Sequence, residues 1–450
     1  MSAIKDVREL IAGDWVEAVG GSTFDDVDPF NGDVVARVPA GGREDARRAI
    51  EAASAAFPAW SKAPPAVRQG IFLRAAEILE RRQDEVVSLL ARETGASFGF
   101  AMFQMHFVPG LFRQAAALAY SPIGEILPSD MPGAFAMGMR RPVGVVAAIA
   151  PWNAALILSA RSIAAPLALG NTIVLKPSEN SPIVGGLLWG EVFEEAGLPP
   201  GVLNIVTHAR EQAGEIGDEL VENPKVRRIN FTGSTAVGRK LAEAAGRNLK
   251  RVVLELGGSN PLIVLGDADL DYAVDAAAFG AFLHQGQICM SARRIIVERP
   301  IADTFIERLV QKTKGLKAGD PNEHDTIIGP LISPEALALV KGRVEQAVAD
   351  GARVLAGGDT VGACYQATLL TDVAADSEFA QVETFGPVAT ISVVESADEA
   401  VSLANETSYG LSAGILTGDN DRGLALAQGI EAGIIHVNDQ PVHDEPQMPF

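Results

Sequence analysis

The chain has 450 residues, 48% of them hydrophobic and 21% charged, and its net charge at neutral pH is −20. This composition is typical of a globular protein with a large core, and it excludes a disordered or collagen-like chain. An acidic surface repels phosphate backbones, so we expect no nucleic-acid partner. The two cysteines, Cys289 and Cys364, exclude a disulfide scaffold and favour a cytoplasmic protein. The N-terminus contains no signal-peptide pattern.

The first part of the chain predicts short strands followed by helices. Strand-like segments with Gly and Asp turns occupy the first 40 residues. Helical spacing of apolar residues predicts helices over residues 43–59 and about 65–94, with Gly95 as a C-terminal stop. Residues 121–140 are rich in Pro, Gly and Met, have little helical pattern, and predict an extended arm.

From residue 143 onward, predicted strands alternate with predicted helices. The strands are expected at 143–150, 172–176, 202–206 and 226–231, and the helices at 154–169, 183–196, around Gly214 and 236–246. A second alternating block spans 252–437, with strands expected at 295–297, 354–356, 388–394 and 434–437. This alternation predicts right-handed crossovers and a mostly parallel sheet.

Residues 143–160 are long enough for a membrane-spanning helix, because they contain no charged residue over 18 positions. Pro151, Trp152 and Asn153 interrupt the middle of this stretch, and valines precede them. We therefore predict a buried strand, a turn and a buried helix, and no membrane partner.

Cys289 and Glu255 are the first candidates for catalysis. Cys289 lies in HQGQICMS between a helical pattern and a strand, which predicts a loop that a substrate can reach; a buried inert cysteine is the alternative. Glu255 lies between an apolar strand and two glycines, where catalytic groups of parallel sheets gather. Burial there would raise the pKa of its carboxyl towards that of a general base, whereas a solvated loop glutamate is the alternative.

Three further turns have the composition of binding sites. Asn153 could stabilise an oxyanion or could simply cap the following helix. Gly233 and Ser234 in FTGSTAVG open a helix where N–H groups suit an anion, although GxGxxG spacing is absent and a plain turn is the alternative. Lys176 and Glu179 in VLKPSE could bind ribose hydroxyls or form a plain polar loop. The six histidines are scattered without CxxC or HxxxH spacing, so we expect no metal.

The order and spacing of PWN, KPSE, FTGSTAVG, ELGG, GQICMS and ETFGPV resemble the aldehyde dehydrogenase superfamily, from about residue 10 to 450. GQICMS and VHDEPQMPF resemble the branch that oxidises aromatic aldehydes such as benzaldehyde, salicylaldehyde or vanillin. The resemblance implies an α/β fold with a Rossmann-like NAD-binding domain (1–120 and 141–255), an oligomerisation arm (121–140) and a catalytic domain (256–437). Residues 438–450 would start a return segment whose C-terminal continuation is absent.

The resemblance also implies the chemistry, which is NAD-dependent oxidation of an aldehyde to the carboxylic acid through a cysteine thioester. The nucleophile would be Cys289, the general base Glu255, and the oxyanion site Asn153 with the backbone N–H of Cys289. The implied cofactor contacts are Pro151, Trp152, Lys176, Glu179, Gly214, Phe231, Gly233, Ser234, Leu256, Glu383 and Phe385. The implied substrate contacts are Ala154, Leu158, Arg161, His443 and Phe450.

Some choices stay open within this resemblance. An acid at Glu179 would repel a 2′-phosphate, which favours NAD over NADP without excluding NADP. Arg161 either pairs with a protein carboxylate or binds a polar substituent of an aromatic substrate. The alternatives to an aromatic aldehyde dehydrogenase are a CoA-acylating enzyme, an aliphatic or semialdehyde dehydrogenase, and a non-catalytic relative. Glu255 argues against the CoA-acylating enzyme. A homodimer or homotetramer is expected.

Overall fold

The computed structural model describes residues 5–374, 377–448 and 450, and the chain divides into two compact units. Unit 1 comprises the residues up to Val27, Val34–Leu89 and Gln104–Glu255. Unit 2 comprises Asp28–Asp33, Leu90–Phe103 and Leu256–Phe450. The division after Glu255 falls where the sequence placed a domain boundary, but residues 90–103, which we assigned to the first domain, cluster with unit 2. The roles of the two domains stay predictions.

Unit 1 is built on a mixed sheet with the order β12-β11-β8-β9-β10-β2-β3, in which β8 to β12 are parallel. All five residues of β8 and of β9 are buried, as in a parallel sheet covered on both faces. The strands of unit 1 are β1 (Lys5–Asp6), β2 (Glu9–Ile11), β3 (Asp14–Val16), β4 (Thr23–Val27), β5 (Val34–Pro39), β6 (Gly124–Leu127), β7 (Ala136–Met139), β8 (Val145–Ile149), β9 (Thr172–Lys176), β10 (Leu203–Ile205), β11 (Val226–Thr232) and β12 (Arg251–Glu255).

Unit 2 is built on a second sheet with the order β15-β18-β19-β14-β13-β20-β21, parallel except for β15. Its core packs Phe282, Phe305 and Leu309 against β13, β14 and β19. The strands are β13 (Asn260–Val264), β14 (Ala292–Glu298), β15 (Arg353–Ala356), β16 (Thr360–Val361), β17 (Cys364–Tyr365), β18 (Thr368–Thr371), β19 (Val388–Val394), β20 (Ser412–Leu416) and β21 (Ile434–Val437). The two predominantly parallel sheets confirm the predicted α/β class.

The helices of the described chain are α1 (Arg43–Trp60), α2 (Pro65–Arg81), α3 (Gln83–Thr94), α4 (Phe98–Leu118), α5 (Ala155–Ala168), α6 (Leu188–Glu195), α7 (Ala213–Glu222), α8 (Thr235–Arg247), α9 (Leu270–Phe282), α10 (Arg299–Lys314), α11 (Pro334–Ala349), α12 (Glu378–Gln381), α13 (Ala397–Asn405) and α14 (Asn420–Ala427). Among the described residues, none of these helices is both long and apolar enough to cross a bilayer. Residues 143–160 form β8, a turn and part of α5, as predicted.

Two helix predictions need correction. The single helix expected over 65–94 is two helices, because Arg82 leaves the helical conformation and its guanidinium pairs with Glu85 and Glu191. The helix expected over 183–196 starts as a wide π-helical turn over Ile183–Leu187 before α6. Gly186 in this turn lies so close to Pro177 that a Cβ atom would come within 2.5 Å of the proline ring.

The segment at 121–140 forms an exposed hairpin. Strands β6 and β7 pair antiparallel, with Gly124 opposite Met139, and every residue of both strands is exposed. Apolar side chains are among them, and Ile126 is 76% exposed. An apolar surface of this kind is typical of an interaction site.

Candidate active site

In unit 1 the predicted site residues lie at the carboxyl edge of the parallel strands. The chain leaves β8, moves outwards through β9 and β10, and returns to the other side of β8 with β11. This reversal creates a topological switch point between β8 and β11, the usual position of a ligand crevice in a doubly wound sheet. The turns after these two strands contain Asn153 and Gly233.

The turn after β8 places Asn153 in a buried position, with 5% of its surface exposed. Pro151 and Trp152 are half-buried before it. The N-cap position of α5 is Ala154, the residue after Asn153. Asn153 therefore lies in the turn between a central strand and α5, a position that suits a stabiliser of developing negative charge, and its role stays a prediction.

The helix after this turn contains the predicted substrate residues of unit 1. Ala154 and Leu158 are buried, and they share a helix face with half-buried Arg161. The guanidinium carbon of Arg161 lies 5.5 Å from the centre of the Phe107 ring, within the range of a cation–π contact.

The turns after β9 and β10 form a polar group around Lys176. This lysine is buried, and desolvation lowers its pKa to about 8 although Glu179 opposes the shift. The Ser178 hydroxyl donates to Glu179 Oε2 at 3.2 Å. Burial and Lys176 also lower the pKa of His208 to about 4, and its ring nitrogens lie 2.9 and 3.2 Å from the carbonyl oxygens of Ala209 and Pro177. Sequence reasoning missed His208, although it is a polar residue just after β10.

The turn after β11 explains one glycine of FTGSTAVG. The Phe231 ring folds over Gly233, and a Cβ atom there would lie 2.6 Å from ring atom Cζ. Ser234 caps α8, since its hydroxyl accepts the Val237 N–H at 3.4 Å. Gly214, near the start of α7, has open space around its Cβ position, so contacts within the protein do not require a glycine there.

Glu255 is the last residue of β12, as predicted, and it is half-buried. It pairs with Thr232, and its carbonyl accepts the Gly233 N–H at 3.0 Å. The carboxylate is therefore attached to the strand next to the switch point.

In unit 2 the predicted residues Cys289, Glu383 and Phe385 lie at the amino edge of the sheet. Gly257 and Gly258 precede β13, Cys289 precedes β14, and Glu383 and Phe385 precede β19. These three strands are adjacent and parallel, so their starts lie at one edge.

The loop before Cys289 is conformationally strained. His284, Gln285 and Gly286 have φ values of 49°, 54° and 65°, a left-handed run that costs free energy at the two non-glycine residues. The Gln285 amide donates to the Gly95 and Pro330 carbonyls at 2.9 and 3.0 Å. The His284 ring stacks on Phe100 at 4.4 Å. These contacts fix the loop in place.

The two thiols differ in environment. Cys289 is half-buried, whereas Cys364 is fully buried in β17. Burial raises the pKa of the Cys364 thiol to about 11, and its Sγ contacts the Gly319 carbonyl at 3.6 Å. The loop prediction for Cys289 is confirmed, and its role as nucleophile stays a prediction.

Both glycines of ELGG permit close approach of other groups. A Cβ atom at Gly257 would lie 2.2 Å from Glu383 Oε2, and one at Gly258 would lie 2.3 Å from the Cys289 carbonyl oxygen. The Gly258 N–H donates to Glu383 Oε1 at 3.3 Å. Burial raises the pKa of the Glu383 carboxyl, and Arg293 opposes that shift.

Asn260 holds the loop that contains Cys289, and it was missed by sequence reasoning. Its buried amide donates to the carbonyls of Cys289 and Ser291 at 2.8 and 2.9 Å. Its Oδ1 accepts the Ser412 N–H at 3.2 Å. A polar side chain at the start of the apolar strand NPLIV was the available signal.

The remaining predicted residues of unit 2 are spread out. Leu256 and Phe385 are half-buried, and the Phe385 ring lies 5.7 Å from the Arg293 guanidinium carbon. His443 is exposed, with Nδ1 2.5 Å from Asp439 Oδ2, and it lines a cavity of about 880 Å³ with aromatic residues such as Phe103 and Phe279. Neither Cys289 nor half-buried Phe450 lines this cavity.

Unit 1 contains a doubly wound sheet with polar groups at its switch point, and unit 2 contains a half-buried cysteine in a loop; both features occur in α/β enzymes. The model of the aldehyde dehydrogenase family matches residues 15–450. The chain belongs to the aldehyde dehydrogenase family, and the predicted fold and enzyme class are confirmed.

Relatives match almost the whole chain. A vanillin dehydrogenase of Pseudomonas fluorescens is 47% identical over 445 residues, covering 99% of this chain and 92% of the relative. The NAD(+) benzaldehyde dehydrogenase of Pseudomonas putida is 44% identical, covering 98% and 90%. The crystal structure of a salicylaldehyde dehydrogenase from Pseudomonas putida G7, in complex with salicylaldehyde, superposes with a TM-score of 0.97 at 40% identity, covering 99% and 92%. The predicted resemblance to the aromatic branch is confirmed.

Proposed function

We propose that the protein oxidises an aromatic aldehyde to its carboxylic acid with NAD. The half-buried Cys289, on a strained and anchored loop in a member of this family, carries the proposal. The similarity to the vanillin and benzaldehyde dehydrogenases supports the aromatic substrate and NAD.

The proposed reaction begins when the Cys289 thiolate forms a C–S bond with the aldehyde carbon. The Asn153 amide and the Cys289 backbone N–H stabilise the oxyanion. When bound, NAD would supply the acceptor for the hydride of this carbon, and Cys289 would then carry the acyl group as a thioester. Glu255 then takes a proton from water, the resulting hydroxide attacks the thioester, and the acid leaves as the thiolate is restored.

The polar residues that follow the strands of unit 1, together with Glu383 of unit 2, are the proposed contacts of the dinucleotide. We assign Lys176 and Glu179 to the adenosine ribose, Glu383 to the nicotinamide ribose, and the helix starts at Gly214 and Ser234 to the diphosphate. Gly233 permits close approach of the backbone at the second of these helix starts. The apolar contacts are assigned to Pro151, Trp152, Phe231, Leu256 and Phe385.

An assay of vanillin, salicylaldehyde, benzaldehyde and long-chain aliphatic aldehydes with NAD and NADP, followed at the nicotinamide absorbance, tests the function. We expect the highest kcat/KM with an aromatic aldehyde and NAD. A preference for long-chain aliphatic aldehydes would refute the aromatic assignment. Turnover that needs CoA and yields an acyl-CoA would identify a CoA-acylating enzyme, and no turnover with any aldehyde would indicate a non-catalytic relative.

Arg161 is the proposed specificity residue, alongside Ala154 and Leu158. We predict that Arg161→Leu lowers kcat/KM by roughly 10–100-fold for aldehydes with a ring hydroxyl or carboxylate, since one hydrogen bond to a charged group is worth ~1.5–3 kcal/mol. Benzaldehyde should be unaffected. Phe107→Leu, which removes the ring against Arg161, serves as a matched control with a smaller loss for the same substrates. An equal loss for every aldehyde would mean that Arg161 is structural.

We also propose that the hairpin of β6 and β7 forms part of a homodimer or homotetramer interface, because its apolar side chains are exposed. Light scattering tests this, and a monomer at micromolar concentration would contradict it. The two cysteines, neither of which forms a disulfide, support a cytoplasmic location, which cell fractionation tests.

A further inference from the structure

Arg293 is an unexpected residue at its position. It lies in β14, between two parallel neighbours in the sheet of unit 2, and only 5% of its surface is exposed. The sequences of central parallel strands are usually continuous runs of apolar residues. Burial of a cation costs free energy unless hydrogen bonds and countercharges compensate it. The partners of Arg293 therefore indicate its role.

The Arg293 guanidinium bonds two loops at once. Its Nη2 donates to the carbonyls of Gly286 and Ile288, at 2.9 and 3.3 Å, in the loop that leads to Cys289. Its Nη1 donates to the carbonyls of Thr384 and Gly386, which follow Glu383. The planar fork of arginine can hold both pairs of carbonyls, whereas the ammonium of lysine cannot.

The same group also supplies a positive charge to this edge of the sheet. Its Nη2 lies 3.9 Å from Glu383 Oε1 and donates to the carbonyl of Ile288, the residue before Cys289. Arg343 donates to the Glu383 carbonyl, and Tyr409 Oη accepts the Glu383 N–H at 3.4 Å. The buried cation therefore has the Glu383 carboxylate and, when ionised, the Cys289 thiolate as countercharges.

We propose that Arg293 is a positioning residue that stabilises the Cys289 thiolate and holds the nucleophile loop in register with the Glu383 loop. The proposal rests on the proposed roles of Cys289 and Glu383. A nearby cation favours the thiolate form of a cysteine and so increases its reactivity at neutral pH. The hydrogen bonds to both loops make the position of the thiol dependent on the position of the carboxylate.

The test compares Arg293→Met, which removes both the positive charge and the planar guanidinium, with Arg293→Lys, which keeps the charge but removes the guanidinium. Arg294→Met is the matched control. Arg294 is the next residue of β14, and its guanidinium likewise bonds two carbonyls, those of Leu403 and Ala404, but it does not bond either active-site loop. Two quantities are measured for each folded variant: the pH dependence of Cys289 alkylation by iodoacetamide without cofactor, and the kcat and KM for NAD.

We expect Arg293→Met to slow alkylation at pH 7 by about tenfold, which corresponds to a rise of about one unit in the thiol pKa. Arg293→Lys should retain the alkylation profile but raise the KM for NAD, because the Glu383 loop loses its anchor. Arg294→Met should leave both quantities near wild type. Matching alkylation profiles for wild type and Arg293→Met, or an equal shift in Arg294→Met, would overturn the proposal.

If Arg293→Met does not fold, Arg293→Lys still tests the proposal. An unchanged KM for NAD in the lysine variant would contradict the proposed coupling of the two loops. The alkylation measurement needs neither aldehyde nor NAD. Failure of the wild-type protein to form NADH would therefore refute the proposed function separately from this inference.

Discussion

The two sheets present their site residues at opposite ends of their strands. In unit 1, Asn153, Lys176 and Glu255 lie at or just after the carboxyl ends of parallel strands. In unit 2, Cys289 and Glu383 lie before the amino ends. A carboxyl edge opens onto helix N-termini such as that capped by Ser234, which bind anions with backbone N–H groups. An amino edge lacks them, so unit 2 fixes its loops with buried side chains, namely Gln285, Asn260 and Arg293.

The difference suggests that the two units have different roles in the proposed reaction. A carboxyl edge of this kind suits recognition of a cofactor, whereas loops bonded from inside the sheet suit a nucleophile that must be held still. Most substitutions in unit 2 should therefore affect chemistry, and most substitutions in unit 1 should affect binding. Asn153 and Glu255 are exceptions, since they belong to unit 1 and are assigned to chemistry, and Glu383 is an exception in unit 2, since it is assigned to the cofactor.

The largest effect is expected at Cys289. We predict that Cys289→Ala lowers aldehyde oxidation by at least ~10³-fold, because no thioester can form, while NAD affinity measured by calorimetry stays near wild type. The control Cys364→Ala should retain full activity, since that thiol is buried and protonated. Wild-type turnover by the Cys289 variant would show that the nucleophile lies elsewhere.

The next prediction concerns Glu255, a residue of unit 1 that is assigned to chemistry. We predict that Glu255→Gln slows hydrolysis of the thioester by roughly 10²–10⁴-fold, because an amide cannot take a proton from water. Stopped-flow measurement should still show a burst of NADH followed by a slow steady state. Loss of the burst as well would assign Glu255 to activation of the thiol instead.

A smaller effect is expected in cofactor choice. Glu179→Gln removes a negative charge from the proposed ribose site, so the kcat/KM for NADP should rise about tenfold relative to that for NAD. Glu383→Gln in unit 2 is the counterpart, and it should weaken use of both cofactors alike because the nicotinamide ribose is common to them. Steady-state kinetics with both cofactors distinguish the two variants, and an unchanged ratio in Glu179→Gln would contradict the assignment.

The last prediction concerns the stability of unit 1. Glu9 is fully buried in β2, and burial, with a contribution from Asp45, raises its pKa from 4.5 to about 9. The folded chain therefore binds a proton that the unfolded chain has lost, and stability falls as pH rises between these two values, by at most about 1.4 kcal/mol per pH unit. Glu9→Gln should remove this dependence, so its melting temperature should exceed that of wild type increasingly from pH 5 to pH 8. If the melting temperatures of wild type and Glu9→Gln change with pH in the same way, Glu9 does not titrate in this range.

The sequence predicted most elements that have a clear hydrophobic period, including β9, β19 and β21 with their observed bounds. It also placed Glu255 and Cys289 correctly relative to their strands, because a local pattern of apolar residues and glycines marks such positions. It missed the break at Arg82, since the salt bridges to Glu85 and Glu191 include a residue 109 positions away. Asn260 and Arg293 were missed for a similar reason, because the partners of Asn260 and the Thr384 and Gly386 partners of Arg293 come from segments distant in sequence. His443 was grouped with substrate contacts by resemblance alone, and no local physical pattern supported that choice.

The contrast between the two thiols has a practical consequence for enzymology. With Cys364 buried and its pKa at about 11, a native protein sample should present one thiol per chain to a chromogenic disulfide reagent at neutral pH. A colorimetric count of native thiols would then report the fraction of chains with an intact, unoxidised Cys289. Preparations that differ in oxidation history could be compared per active site rather than per milligram of protein.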